Sequence, residues 1–120
     1  MAEMERVDDF LLTLQGYDVD VATAQFLAAP RALRIIKAIF VETEAVTGAN
    51  QVVTFTNEDG TDLDDTLTIL LAGAAIGRVT EQHFGPGDAN AFAIGDAIEF
   101  ASGVAGTAGT GHLTLVCRPL

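Results

Sequence analysis

Short runs rich in Val, Ile, Thr and Phe alternate along the chain with turn residues: Gly16, Pro30, Gly48, Gly60, Gly73, Gly77, Gly85 to Gly87, Gly95, Gly103 and Gly106. Regular short apolar runs between turn signals read as an all-β sandwich or barrel. The runs are Asp9–Gln15, Ala22–Ala28, Arg34–Val41, Gln51–Thr56, Asp65–Leu71, Ile76–Glu81, Ala97–Ala101 and Gly111–Cys117. About eight short strands predict two packed sheets in a single β-sandwich, with a jelly roll as the leading topology.

Period-two alternation supports these strands. Val52, Thr54 and Thr56 oppose Val53 and Phe55, and Leu113, Leu115 and Cys117 oppose His112, Thr114 and Val116. In "RIIKAIFVE", Ile35, Lys37, Ile39 and Val41 fall on one face and Ile36, Ala38 and Phe40 on the other. That strand is apolar on nearly both sides, as a central strand would be. Residues 9–15 are ambiguous. Met4, Val7, Phe10, Leu11 and Leu14 fit a helical stripe with Gly16 as its stop, while Phe10, Leu12 and Leu14 fit alternation; a strand is expected.

Turn chemistry sets the boundaries. Pro30 closes the second strand, because proline cannot donate into a ladder. Gly48 and Gly60 mark turns, and Gly95 takes a turn whose Asp96 can bond the following backbone. "GPGDANAF", residues 85–92, reads as a loop, and "ASGVAGTAGTG", Ala101 to Gly111, as a flexible loop or hairpin tip. There is no internal repeat or linker. The chain divides into an acidic N-terminal arm, residues 1–8, and one β-sandwich domain, residues 9–120.

At 120 residues the chain fits a single domain and can bury about two thirds of its unfolded surface. Net charge is −11, with one lysine, Lys37, and five arginines. Such a surface repels nucleic acid and anionic membrane. No run of uncharged apolar residues is long enough to span a bilayer, and the acidic N-terminus carries no signal-peptide pattern. Cys117 is the sole cysteine, so no internal disulfide can form, and it reads as a small buried hydrophobe.

The densest acidic run, "TFTNEDGTDLDDT" from Thr54 to Thr66, has a partial likeness to a calcium loop. With Gly60 at loop position 6, Asn57 and Asp59 stand where ligands belong. Phe55 and Thr66 then occupy positions 1 and 12, where carboxylates are needed. A hairpin turn Asn57-Glu58-Asp59-Gly60 explains the run better, with Asp62, Asp64 and Asp65 in a solvated stretch. His83 and His112 lack metal-ligand spacing. Cys117 lacks the electropositive surroundings of a reactive thiol. Asp96 and Glu99, three apart on a strand, point to opposite faces and so do not pair as glycosidase carboxylates. With no Trp and one Tyr, a sugar-stacking platform is poorly supplied. No enzymatic activity, metal or cofactor is expected.

The landmarks "ATAQFLAAPRALRIIKAIFV", "VTGANQVVTFTNEDG", "DTLTILLAG", "GRVTEQHF", "AFAIGDAIEFASG" and "GTGHLTLVCRP" form a series. It resembles the small β-sandwich head decoration, or cement, proteins of tailed double-stranded DNA bacteriophages, over roughly residues 10 to 118. In that family a strand ending at a proline leads into a basic-apolar strand, here Pro30 and Arg34-Ile35-Ile36-Lys37. A "TGA" turn, Thr47-Gly48-Ala49, a hairpin glycine, Gly60, and a "GDxIEF"-like strand start, Gly95 to Phe100, follow. Arg31-Ala32-Leu33 replaces the family's usual glycine after the proline.

The resemblance implies a virion structural protein, commonly a homotrimer. It would bind the major capsid protein on the outer surface of the capsid and stabilise the shell against internal DNA pressure, after synthesis in the host cytoplasm. Such contacts need apolar anchors, and the candidates are Phe10, Leu11, Leu12, Leu14 and Tyr17 with His83 and Phe84. The alternative is a head-fibre or tail-associated β-domain that binds a receptor or carbohydrate.

Overall fold

The computed structural model describes residues 8–20, 22–103 and 108–120; most of the acidic arm, residues 1–7, therefore lies outside the described residues. Among the described residues nine strands form two antiparallel sheets: β1 (Phe10–Asp18), β2 (Gln25–Ala28), β3 (Leu33–Thr47), β4 (Gln51–Thr56), β5 (Leu67–Ile69), β6 (Val79–His83), β7 (Ala91–Phe92), β8 (Ala97–Ser102) and β9 (Ala108–Pro119). One sheet has the order β1-β9-β3-β6, with β7 also on β3, and the other β2-β8-β4-β5. The ladders nest: β1 pairs with β9, β2 with β8, β3 with β6 and β4 with β5. This is the winding of a long antiparallel ribbon folded over on itself, a jelly roll.

The inward faces meet in one core. Phe40, Leu33 and Ile35 of β3 and Leu113, Leu115 and Cys117 of β9 come from one sheet. Phe55 of β4, Leu67 and Ile69 of β5 and Ile98 and Phe100 of β8 come from the other. Tyr17 meets Phe100 edge-on at 5.1 Å between ring centroids, and Phe55 meets Phe84 at 5.4 Å. Such pairs add about 0.5–1.5 kcal/mol beyond their buried area. On β9, Gly111 leaves room for Phe40: a Cβ there would lie 2.4 Å from the Phe40 ring and from the Val41 carbonyl oxygen.

The ambiguous first segment is a strand. Gly16, with φ 69°, is not a helix stop but part of an irregularity between Leu14 and Tyr17. The irregularity breaks strict alternation, so Leu14 and Tyr17 both turn inward although three residues apart. A similar shift corrects the face assignment in "RIIKAIFVE". The register slips between Ile35 and Lys37, so Ile35 joins Ala38 and Phe40 in the core. Lys37 and Ile39 are buried apart from that core.

The Asn57–Gly60 turn forms as expected. Gly60 N–H donates to the Asn57 carbonyl at 3.0 Å, and Asn57 Oδ1 accepts from the backbone of Asp59 and Thr61. Gly60 has φ 82°, a conformation that glycine adopts without strain. Gly48 and Gly95 also take positive φ. Strand β2 ends at Ala28, two residues before Pro30.

Three turn expectations are corrected. Asp96 bonds backward rather than forward: its Oδ2 accepts from Ala93 N–H at 2.9 Å, closing the Ala93–Asp96 turn. The segment after β8 is a crossover rather than a hairpin tip, because β8 and β9 belong to different sheets; residues 104–107 of it lie outside the described residues. The loop at 85–92 contains a 3-10 turn, Asp88–Asn90, and then β7.

Candidate interaction surface

After β5 the sequence "LLAGAAIG", residues 70–77, carries no charge in a strongly acidic chain. The pattern predicts strands running through Leu71 and from Ile76, but β5 stops at Ile69 and β6 starts at Val79. Residues 70–78 form a loop instead, and it presents Leu70, Leu71 and Ile76 outward, Ile76 at 77% exposure, with Val79 beside them at the start of β6.

This apolar loop is fixed from below by one arginine. Arg78 Nε donates to Oε1 of Glu42 at 2.5 Å, Nη1 donates to the Ala72 carbonyl at 2.8 Å, and Nη2 to the Leu70 carbonyl. Glu42 is itself buried on β3, and its Oε2 accepts from Val46 N–H. Backbone bonds finish the clasp, Gly77 N–H to the Glu42 carbonyl at 2.7 Å and Glu42 N–H to the Arg78 carbonyl at 3.0 Å. Asn50 Oδ1 takes Leu71 N–H at 2.8 Å. Both ends of the loop are thus bonded from inside, so its leucines and isoleucine can face water without the loop collapsing onto the core. A fixed apolar knob loses little conformational freedom when a partner covers it.

At the other end of β6 lies a cavity of about 220 Å³ lined by Arg34, Ile36, His83, Phe84, Gly85, Pro86 and Arg118. Arg34 and Arg118 are direct cross-strand neighbours on β3 and β9. Asp9 offsets one of them, accepting from Arg118 Nε at 3.1 Å and Nη2 at 3.2 Å. The loop on its rim is latched by carboxylates of the acidic run. Asp65 Oδ2 accepts from Gly85 N–H at 3.2 Å, and Asp64 Oδ2 from Gly87 N–H at 3.1 Å. Buried Asn90 bridges back, donating to the Gly85 carbonyl and accepting from Asp64 N–H. Asp62 and Asp64 are exposed, as a solvated stretch implies, and Asp64 and Asp65 in addition tie down a neighbouring loop. Among the described residues no group of three or more His, Cys, Asp or Glu is placed to hold a metal.

The anchors chosen from sequence scatter. Phe10, Leu12 and Leu14 pack against the core, and Tyr17 and Phe84 belong to it. Leu11 and His83 face outward, but on β1 and β6, opposite edges of one sheet. Three strand spacings separate them, roughly 14 Å. Burial pushes the Tyr17 phenol up to about 12; its hydroxyl lies by the Ser102 backbone without a hydrogen bond of normal geometry. Burial, reinforced by the charge of Asp9, also pushes the Cys117 thiol up to about 12. That thiol is a buried, protonated core group.

The exposed loop residues Leu70, Leu71 and Ile76 were absent from the sequence candidates because an uncharged apolar run reads as buried strand. The available signals were Gly73 and Gly77 inside the run, and a glutamate, Glu42, directly after the apolar "AIFV". Comparison with family models, curated proteins and solved structures finds no match for this chain.

Proposed function

We propose that the chain is a virion structural protein of the capsid decoration class. In this reading it associates with itself as a small closed ring, a trimer, and binds the outside of a major capsid shell. The observation that carries it is the apolar run at 70–77, clasped by Arg78 and Glu42 and presenting Leu70, Leu71 and Ile76. A fixed apolar contact suits docking onto a solid lattice better than it suits chemistry, and a cyclic ring needs one patch per subunit that meets a different patch on the next. The landmark series in the sequence supports the same reading, and jelly rolls are common in viral shells, although a fold alone does not set a function.

The test compares phage heads carrying the protein with heads lacking it, heated side by side while DNA release is followed. Decorated heads should release DNA at a higher temperature, because many weak contacts on one lattice act at high effective concentration. Equal release temperatures together with lost adsorption to host cells would favour the fibre or tail reading. One feature speaks for that second reading: Phe26 on β2 is 58% exposed, on the outer face of the β2-β8-β4-β5 sheet, where an aromatic ring could stack on a sugar. Specific binding on a glycan array that Phe26→Ala abolishes would establish it.

A further inference from the structure

The cavity at the His83 end of β6 is a cationic spot on an anionic molecule. The chain has 17 acidic residues against six Lys and Arg, yet Arg34, Arg118 and His83 line this cavity and, among the described residues, no acidic side chain does. Two arginines directly across a ladder repel each other unless an anion offsets them. Asp9 takes Arg118 in a two-pronged contact. For Arg34 no such partner is present among the described residues, and its Nε is buried with no hydrogen bond. An arginine N–H left in that state loses hydration without regaining a bond. The remaining lining is apolar, from Ile36, Phe84 and Pro86.

We propose that this cavity is a binding socket for a carboxylate carried on a peptide. The incoming oxygen would accept from Arg34 Nε–H, as Asp9 already does from Arg118, while Ile36 and Pro86 pack against the methylenes behind it. A planar guanidinium suits a carboxylate, and a cavity of about 220 Å³ holds one acidic side chain rather than a polyanion. The net charge of −11 also argues against nucleic acid as the source.

Two sources share this chemistry. One is the chain's own N-terminal segment, Met1-Ala2-Glu3-Met4-Glu5, which leads to Asp9 at the socket's rim. Glu5 is four residues before Asp9, a reach of up to about 14 Å when extended. The other source is an acidic segment of a separate molecule, and the two are separable in one experiment.

The Arg34 Nε–H resonance reports occupancy directly, in full-length wild-type chain and in the Glu3→Gln/Glu5→Gln chain. The probe is a synthetic peptide of residues 1–8, with its Glu3→Gln/Glu5→Gln form as control. The acidic peptide should shift the Arg34 signal saturably in the substituted chain, the control peptide should not, and Arg34→Gln should weaken binding at least fivefold. If the wild-type signal already lies at the bound position, the chain's own segment is the source. If both chains titrate alike, the source is another molecule. An Arg34 signal unmoved by the peptide in both chains and by the Glu3 and Glu5 substitutions would overturn the proposal. So would equal binding of the control peptide, or tighter binding of inorganic phosphate.

Discussion

The loop that enters β6, residues 70–78, is held by its own Arg78 against Glu42 of β3, and the loop that leaves it, residues 84–90, by Asp64 and Asp65 of the β4–β5 connection. In the first, a guanidinium donates outward to loop carbonyls and a buried carboxylate, and the surface left over is apolar. In the second, the carboxylates of Asp64 and Asp65 accept loop N–H groups, Phe84 turns into the core, and the surface left over is the cationic socket. A loop can thus be made rigid by donors or by acceptors, and the choice decides which chemistry faces water. The two ends of a five-residue strand, roughly 17 Å apart, present opposite kinds of contact.

The largest expected effect tests whether the first loop depends on its ion pair. Arg78→Met leaves the Glu42 carboxylate buried without a cation, which should cost about 3–5 kcal/mol in urea unfolding. Arg78→Met with Glu42→Leu should recover much of that loss, because no charge is then stranded. Asp64→Ala, in the more solvated second loop, should cost clearly less. Equal losses from Arg78→Met and Asp64→Ala would erase the distinction between the two loops.

A second perturbation acts on the core beneath both loops. The Cys117 thiol and Tyr17 phenol are held at about 12 in the folded chain, above ordinary values of about 9 and 10. Between the unfolded and folded values the unfolded chain gives up protons that the folded chain keeps, so stability falls as pH rises. Their contribution is complete below pH 9 and is lost progressively toward pH 12, by a few kcal/mol at about 1.4 kcal/mol per unit. Melts across this range should show the loss, and Cys117→Ala should delay its onset toward pH 10. Amides of the two loops should lose protection together, unlike the loop-specific substitutions.

The fold was largely legible because alternation and turn residues act locally. All eight expected strands have a counterpart, and Val53, Phe55, Leu113, Leu115 and Cys117 are core residues. Legibility failed where one side chain reaches across the fold. Nothing in "LLAGAAIG" announces that Arg78 will thread back to Ala72 and Leu70. Nothing in "DLDDT" announces a latch on glycines twenty and more residues away. Irregularities at Gly16 and Ile36 shift a whole face by one residue, which strict alternation does not register. The two-residue β7 is too short to carry a pattern. The socket was hidden because Arg34, His83 and Arg118 are distant in sequence and meet only through the β3–β6 and β3–β9 ladders.

A smaller, confined effect is expected in the second loop. A Cβ on Gly87 would come within 2.1 Å of Asp64 Oδ2, displacing the carboxylate from Gly87 N–H. Gly87→Ala should cost about 1–2 kcal/mol, the scale of a partly solvated hydrogen bond to a charged group. Hydrogen exchange should quicken at Gly85 and Gly87 and leave Leu71 and Gly77 unchanged. Faster exchange at all four amides would mean that the loops open as one unit.

The smallest effect on stability should come from Ile76→Ser. Ile76 is the most exposed large apolar residue described, and the bonds that fix its loop run through Arg78, Glu42 and Asn50 rather than through its side chain. Truncating it removes almost no buried surface, so stability should stay within about 0.5 kcal/mol and Gly77 exchange should not change. Partner contact is a different matter, since an apolar side chain fully buried in an interface is worth about 1.5–3 kcal/mol. Binding to undecorated heads, or self-association if the loop faces another copy, should therefore weaken tenfold or more at unchanged stability. Sedimentation with and without heads separates those two partners. A variant that sediments and binds as wild type would show that the apolar face is not used. One that instead melts several degrees lower would show that Ile76 belongs to the domain's own packing.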